Sequence, residues 1–306
     1  MNPIGIVGSG SVAQALGRAL HDRGAPVVAL AARDPDRAER AAAFVGRAVR
    51  RVEYAELVAL APYLIVAVSD EAITSVAGTL AAAGLRRGVV LHTSGARGAE
   101  ALAPLGEAGV ACGVLHPLQT LPSPAAGTVS LQGITFGIGG DPPAVDWGEA
   151  IADLLNGRVL HVAPGGFPAY HAAAVLAGNA VAALVDAALV LMERAGVEAG
   201  TALEALAPLC RASAEHVLAV GPVAALTGPV ARGDVTTVRA HVRALAGTPP
   251  DVAELYVAAS GRLLDLAGRR GLDEASGRRI AQVIQAARDG RRNPDASPRA
   301  TPVTSG

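Results

Sequence analysis

The 306-residue sequence contains no lysine; all 26 of its basic side chains are arginine. Any chemistry that needs a lysine amine, such as a Schiff base or an ammonium acid, is therefore excluded. Only two cysteines occur, Cys112 and Cys210, far apart and without ligand spacing. This excludes a zinc ribbon or a disulfide scaffold and fits a reducing cytoplasm, with no metal site expected. Aromatic residues make up 3% and the formal net charge is −1. Neither a basic footprint nor base-stacking platforms are present, so no nucleic-acid partner is expected. The opening "MNPIGIVGSG" lacks a basic stretch followed by an apolar one, so no signal peptide is expected.

Hydrophobic residues reach 51% and charged residues 17%, a globular balance. The length suits two domains. Short β-branched runs alternate with helical spacing: "IGIVG", "PVVALAARD", "YLIVAVSD" and "GVVLHTSG" as strands, with amphipathic segments between them. That alternation points to βαβ units and a parallel sheet. "GVACGVLHPLQT", "GITFGIGG" and "RVLHVAP" are expected as later strands, the first two joined by a Pro/Gly/Ser-rich loop, "LPSPAAGTVS". From about residue 168 only helical periodicity remains, over 169–196, 199–219, 234–246, 250–270 and 273–288. The expected architecture is an α/β Rossmann domain over 1–165, an all-α domain over 166–288 and a disordered tail over 289–306.

Gly8-Ser9-Gly10-Ser11-Val12-Ala13 is a G-x-G-x-x-[GA] element directly after a strand and opening a helix. Gly8 permits the tight turn, Gly10 lets backbone approach a pyrophosphate, and Ala13 allows close helix–strand packing. Helix-start amides then face phosphate oxygens. The second strand ends Ala31-Ala32-Arg33-Asp34, so alanine stands where NAD-specific chains place an acid for the ribose 2′-OH. Arg33 and Arg37 suit a 2′-phosphate, which favours NADP over NAD, although Asp34 is placed to reach a ribose hydroxyl.

Ligands of open α/β sheets bind beyond the carboxyl ends of the strands. Those ends carry Val68, Ser69 and Asp70; His92, Thr93 and Ser94; and His116, Gln119 and Thr120. Val68 and Ser69 are expected beside the cofactor, whereas Asp70 is better explained as a helix cap. The apolar stretch 169–196 contains His171, Asn179 and Asp186, a loose polar stripe at helical spacing. A buried helix explains it better than a membrane span. In "LTGPVARGD" (226–234), Thr227 and Arg232 are candidates to hold a substrate, Arg232 through a bidentate carboxylate pair. Helices apolar on more than one face suggest a homodimer formed through the helical domain.

With these residues in view, the chain resembles the 6-phosphogluconate dehydrogenase-like superfamily. More closely, "HTSGA" (92–96), "LHPLQT" (115–120), "YHAAAVLAGN" (170–179) and "LTGPVARGD" resemble Rossmann-like oxidoreductases carrying a C-terminal domain of unknown function. The resemblance implies an oxidoreductase acting on a small-molecule substrate, with NADPH-dependent reduction of 2-dehydropantoate (ketopantoate) to pantoate as a concrete reaction. The superfamily's usual lysine, four residues before the helix asparagine, is Val175 here, ahead of Asn179. The expected proton donor is then His116 or His171, with His92 a third candidate. Ser94 and Asn179 would hydrogen-bond the carbonyl or carboxylate, with Thr93 and Gln119 lining the substrate. An imine reductase resembling pyrroline-5-carboxylate reductase, whose substrate arrives protonated, is the rival enzyme. A non-catalytic NADP-binding sensor is the rival from another class.

Overall fold

The structure, a computed structural model, describes residues 2–292, with side chains through Asp289. It divides into two compact units, Met1–Asn179 and Ala180–Gly306.

The first unit runs β1 (Ile4–Val7), α1 (Ser11–Asp22), β2 (Val27–Ala31), α2 (Pro35–Val45), β3 (Arg50–Arg51), α3 (Tyr54–Leu60), β4 (Tyr63–Val66) and α4 (Ile73–Ala82). It continues β5 (Val89–His92), α5 (Ala103–Gly106), β6 (Ala111–Pro117), α6 (Pro124–Ser130), β7 (Thr135–Gly140), α7 (Pro142–Leu154), β8 (Arg158–His161) and α8 (Phe167–Ala177). The strands form one eight-stranded sheet in the order β3-β2-β1-β4-β5-β6-β7-β8. Alternation of side chains explains why the central strands read as unbroken apolar runs. Ile4 and Ile6 enter the core on one face of the sheet, Val7, Leu64 and Val66 the core on the other. Both faces are covered there, so the central strands are buried on both sides, while the edge strands β3 and β8 stay largely exposed.

The sheet is not wholly parallel: β7 runs antiparallel to β6, pairing His116 with Gly137. The expected loop between them holds α6, started by Pro124 and by Ser123, whose Oγ accepts from the Ala126 amide at 3.3 Å. Serine and proline there are helix-start chemistry, not loop filler.

The expected single helix over 169–196 is two helices. The first ends at Ala177, and Gly178 and Asn179 form a turn before α9 (Ala180–Arg194). The turn removes the helical register between His171 and Asn179, so the polar stripe does not form. The first helix, α8, also belongs to the sheet unit, because Phe167 and Tyr170 lie directly over Gly139 and Gly137 of β7. The expected boundary at 165/166 therefore differs from the observed division at 179/180.

The second unit holds α9, α10 (Ala199–Val220), α11 (Pro222–Ala225), α12 (Val235–Ala244), α13 (Pro250–Arg269) and α14 (Glu274–Arg292). Its core joins Leu226, Val238, Val257, Ile280 and Ile284. Asp234 caps α12, accepting from the Thr237 amide at 3.0 Å. By length and composition Phe167–Arg194 could cross a membrane, but the turn at Gly178–Asn179 divides it and Asp186 is exposed. The expected burial of α9 is not met within the chain, for it has no buried residue. Of the expected tail, 289–292 continue α14, and 293–306 lie outside the described residues.

Candidate functional site

A cavity of about 760 Å³ opens along the carboxyl ends of the first unit's strands. Its floor begins at the glycine loop. Gly8 holds φ +124°, and a Cβ there would stand 2.1 Å from the Ala67 carbonyl oxygen. Glycine is thus required by both conformation and space. Gly10 differs: its φ is −78°, open to any residue, and a Cβ there would meet nothing within 4 Å. Its lack of a side chain keeps the cavity open rather than the fold intact. No side chain caps α1, so its first amides are left for a ligand. Ser9, Ser11 and Val12 line the cavity beside them, while Ala13 is fully buried beneath the loop and does not. A diphosphate fits this cradle.

At the far end of the loop, Ala32, Arg33 and Arg37 line the same cavity. Asp34 lines it too, but its Oδ1 accepts from the Arg37 amide at 3.0 Å and caps α2. Its carboxylate therefore serves the helix, whereas neither arginine has an ion-pair partner among the described residues. Two exposed guanidiniums with no acid to pair suit a phosphate on the ribose. Tyr54 lines this end as well, a residue that periodicity did not single out. Val68 and Ser69 line the same cavity.

The opposite end is built by Thr93, Ser94, Gly95, His116 and His171. The Nδ1 of His116 lies 2.8 Å from the Tyr170 hydroxyl. The rings of His116 and His171 meet edge to face, their centroids 5.8 Å apart. Gly95 lies against both: a Cβ there would be 2.7 Å from His116 Nε2 and 2.7 Å from His171 Nδ1. That His171 nitrogen is buried and has no hydrogen-bond partner among the described residues. Burial, with the second imidazole beside it, holds His116 down at about 4. Burial pushes the Tyr170 hydroxyl up to about 12. Both groups are neutral at pH 7.

Desolvation keeps the His116 imidazole neutral near pH 7, so the proton it would donate is that of the neutral ring. The expected role of His92 as a third proton donor is corrected by its position. It is fully buried and absent from the cavity, its Nε2–H donating to the Gly98 carbonyl at 2.9 Å. Its Nδ1 accepts from the Ser94 amide at 3.2 Å. His92 thus ties the two ends of the 94–98 loop and shapes the turn that presents Gly95. Ser94 Oγ accepts from the Ala96 and Arg97 amides at 3.2 and 3.3 Å, which leaves its proton free to donate.

Other expected residues lie elsewhere. Gln119 is exposed, outside the cavity, and its side-chain oxygen accepts from the Thr120 amide. Asn179 is exposed in the turn that ends the first unit and does not line the cavity. In the second unit, Thr227 borders a separate cavity of about 410 Å³, and Arg232 lies in the turn preceding α12. Tyr170 and Gly95 had no assigned role, although both stand inside quoted motifs. A signal was present: Tyr170 is one of four tyrosines and directly precedes a candidate histidine.

The histidine also sets a pH dependence. An imidazole at 6.5 unfolded and about 4 folded binds its proton more readily when unfolded between those values. Stability is therefore complete above pH 6.5 and falls as pH drops towards 4, by up to roughly 3 kcal/mol. Thermal unfolding of His116→Gln should lose less on acidification from pH 7 to 4.5 than the parent. Parallel losses in both proteins would contradict the assignment.

Comparison with known proteins agrees with this architecture. Residues 2–117 match the Rossmann-like domain, and residues 134–263 match a domain of unknown function, DUF2520. Among solved structures, a Bacteroides fragilis protein provisionally described as an NADP oxidoreductase is 26% identical, with a TM-score of 0.68 over 86% of this chain and 97% of that one. A Thermotoga maritima protein is 23% identical, with a TM-score of 0.68 over 87% and 98%. An imine reductase from a Pseudomonas species is 20% identical, with a TM-score of 0.60 over 93% and 99%. No curated protein matches the sequence.

Proposed function

We propose that this chain is an NADP-dependent oxidoreductase that reduces a small 2-keto acid, with ketopantoate the first candidate. One observation carries the reading: a single cavity joins a phosphate cradle and two arginines, unpaired among the described residues, at one end to a histidine pair at the other. Gly8, Gly10 and the first amides of α1 would hold the diphosphate, and Arg33 and Arg37 the 2′-phosphate. NADPH supplies a hydride when bound. His116, His171, Thr93 and Ser94 would orient the acceptor. The similarity to a provisionally described NADP oxidoreductase supports the class of reaction.

A second reading is imine reduction. It is favoured by the neutrality of His116, because an iminium substrate brings its own proton and needs no acid. The fold is shared with an imine reductase, which supports this reading at the level of architecture. Oxidation of NADPH at 340 nm with ketopantoate, and in parallel with a cyclic imine, tests both. Turnover of the keto acid is the expected result. Inertness towards a full panel of keto acids and imines would remove the proposal.

The cofactor preference has its own test. Charge-assisted contacts to a phosphate contribute about 1.5–3 kcal/mol each, so Arg33→Ala should weaken NADPH binding roughly 10- to 100-fold. NADH binding should change little. An equal loss for both cofactors would show that Arg33 does not contact the 2′-phosphate. A homodimer is part of the same proposal, supported by Val181 and Leu184 of α9, each 49% exposed in the single chain. So is a cytoplasmic location, supported by two free cysteines.

A further inference from the structure

We infer that Tyr170 is a positioning residue that fixes the tautomer of His116, so that His116 presents Nε2–H to the cavity and selects a carbonyl rather than an iminium acceptor. The inference deepens the proposed reductase reading and rests on it.

The argument is one of proton counting. A phenol has one proton to donate, and a neutral imidazole has one nitrogen that donates and one that accepts. Tyr170 is half-buried on α8, with its hydroxyl laid over Gly137, where a Cβ would come within 2.5 Å of the oxygen. Its hydroxyl lies 2.8 Å from Nδ1 of His116 and beside the Gly137 backbone N–H, which can donate to the phenol oxygen but cannot take its proton. If Nδ1 carried the proton, the imidazole would donate to the phenol, and the phenol's own proton would be left without an acceptor. No other protein acceptor meets that proton among the described residues, so this arrangement forfeits one hydrogen bond, about 1 kcal/mol net. The arrangement that satisfies both groups has Tyr170 donating to Nδ1. The imidazole proton then sits on Nε2, the nitrogen nearest Gly95 and the cavity lining. The strand pairing of His116 with Gly137 keeps the two partners in register.

A fixed Nε2–H discriminates between acceptors. A carbonyl oxygen offers lone pairs and receives it. An iminium nitrogen carries an N–H of its own and has no lone pair in the plane, so donor would face donor. The chemistry balances for a ketone. NADPH, held by Gly8, Gly10 and the two arginines, would supply the hydride, which leaves the substrate oxygen in need of one proton. That oxygen takes the Nε2 proton, Nδ1 takes the proton of Tyr170, and solvent returns a proton to the Tyr170 oxygen. The imidazole finishes neutral, with its proton now on Nδ1. Proton exchange with solvent restores the starting tautomer before the next turnover.

Long-range ¹H–¹⁵N correlation of the histidine side chains in the uniformly ¹⁵N-labelled full chain reads the tautomer directly, with His116→Gln to assign the signals. The expected spectrum shows His116 as a single Nε2–H tautomer at pH 7, and Tyr170→Phe converts it to a mixture. The same variant should lower kcat on the ketone about 10- to 100-fold with little change in KM. A wild-type Nδ1–H tautomer, or a spectrum unmoved by Tyr170→Phe, would overturn the inference. The wild-type spectrum decides even if the variant does not fold. Failure of every substrate would remove the reductase reading yet leave the tautomer measured. Turnover of imines with ketones inert would keep an oxidoreductase and overturn the carbonyl selection.

Discussion

Gly8→Ala should destroy the fold of the first unit or lower its stability by several kcal/mol, whereas Gly10→Ala, two residues away, should leave the melting temperature unchanged and abolish NADPH binding. The contrast follows from where each new methyl would go. At Gly8 it would lie 2.1 Å from the carbonyl oxygen of Ala67, whose amide is fixed to the Val7 carbonyl at 2.8 Å, and φ +124° strains any L side chain. Left-handed strain costs about 1–3 kcal/mol and overpacking a similar amount, so the two together exceed what most domains can spare. At Gly10 the backbone is ordinary and the space is empty, but that space belongs to the cavity. Circular dichroism melts paired with cofactor titration separate the two effects. A Gly10→Ala protein that binds NADPH normally would show that the diphosphate does not approach this backbone.

Gly95→Ala is the second large effect, and it should fall on turnover rather than on cofactor binding. The added methyl would lie 2.7 Å from a nitrogen of each imidazole. Neither ring can swing away freely: His116 is tied to Tyr170, and His171 Nδ1 is buried. The rings must shift by several tenths of an ångström or more. A misplacement of about 1 Å at a reacting centre costs on the order of 100-fold in rate. The expected kcat/KM is therefore lower by roughly that factor, with NADPH affinity retained, because the glycine loop lies at the other end of the cavity. Unchanged turnover would show that the histidine pair does not touch the reacting group.

The sheet unit was largely legible because its evidence is local. Short β-branched runs marked β1, β4 and β5, and the spacing of Gly8, Gly10 and Ala13 pointed to the loop that lines the cavity. Of the histidines at strand ends, His116 lines the cavity, where its ring meets that of His171 on α8. What the sequence hid depends on contacts across long separations. Tyr170 is 54 residues from His116, and their pairing needs the antiparallel β7 and the docking of α8 on it. His92 and His116 look alike in sequence, each ending an apolar strand. Only the loop geometry shows that both nitrogens of one are consumed by backbone groups, while the other faces a cavity. The stretch 169–196 reads as one continuous helix in sequence because alanine and leucine favour helix on both sides of Gly178. A single glycine does not announce a break by propensity alone.

The central claim is that one cavity binds NADPH through its glycine loop and its two arginines. Titration calorimetry of the full chain with NADPH and with NADH tests it most directly. The account predicts one site per chain, with NADPH bound at least tenfold more tightly than NADH, and that preference lost in the Arg33→Ala, Arg37→Ala double variant. No binding of either nucleotide, or equal binding of both by the parent protein, would contradict it.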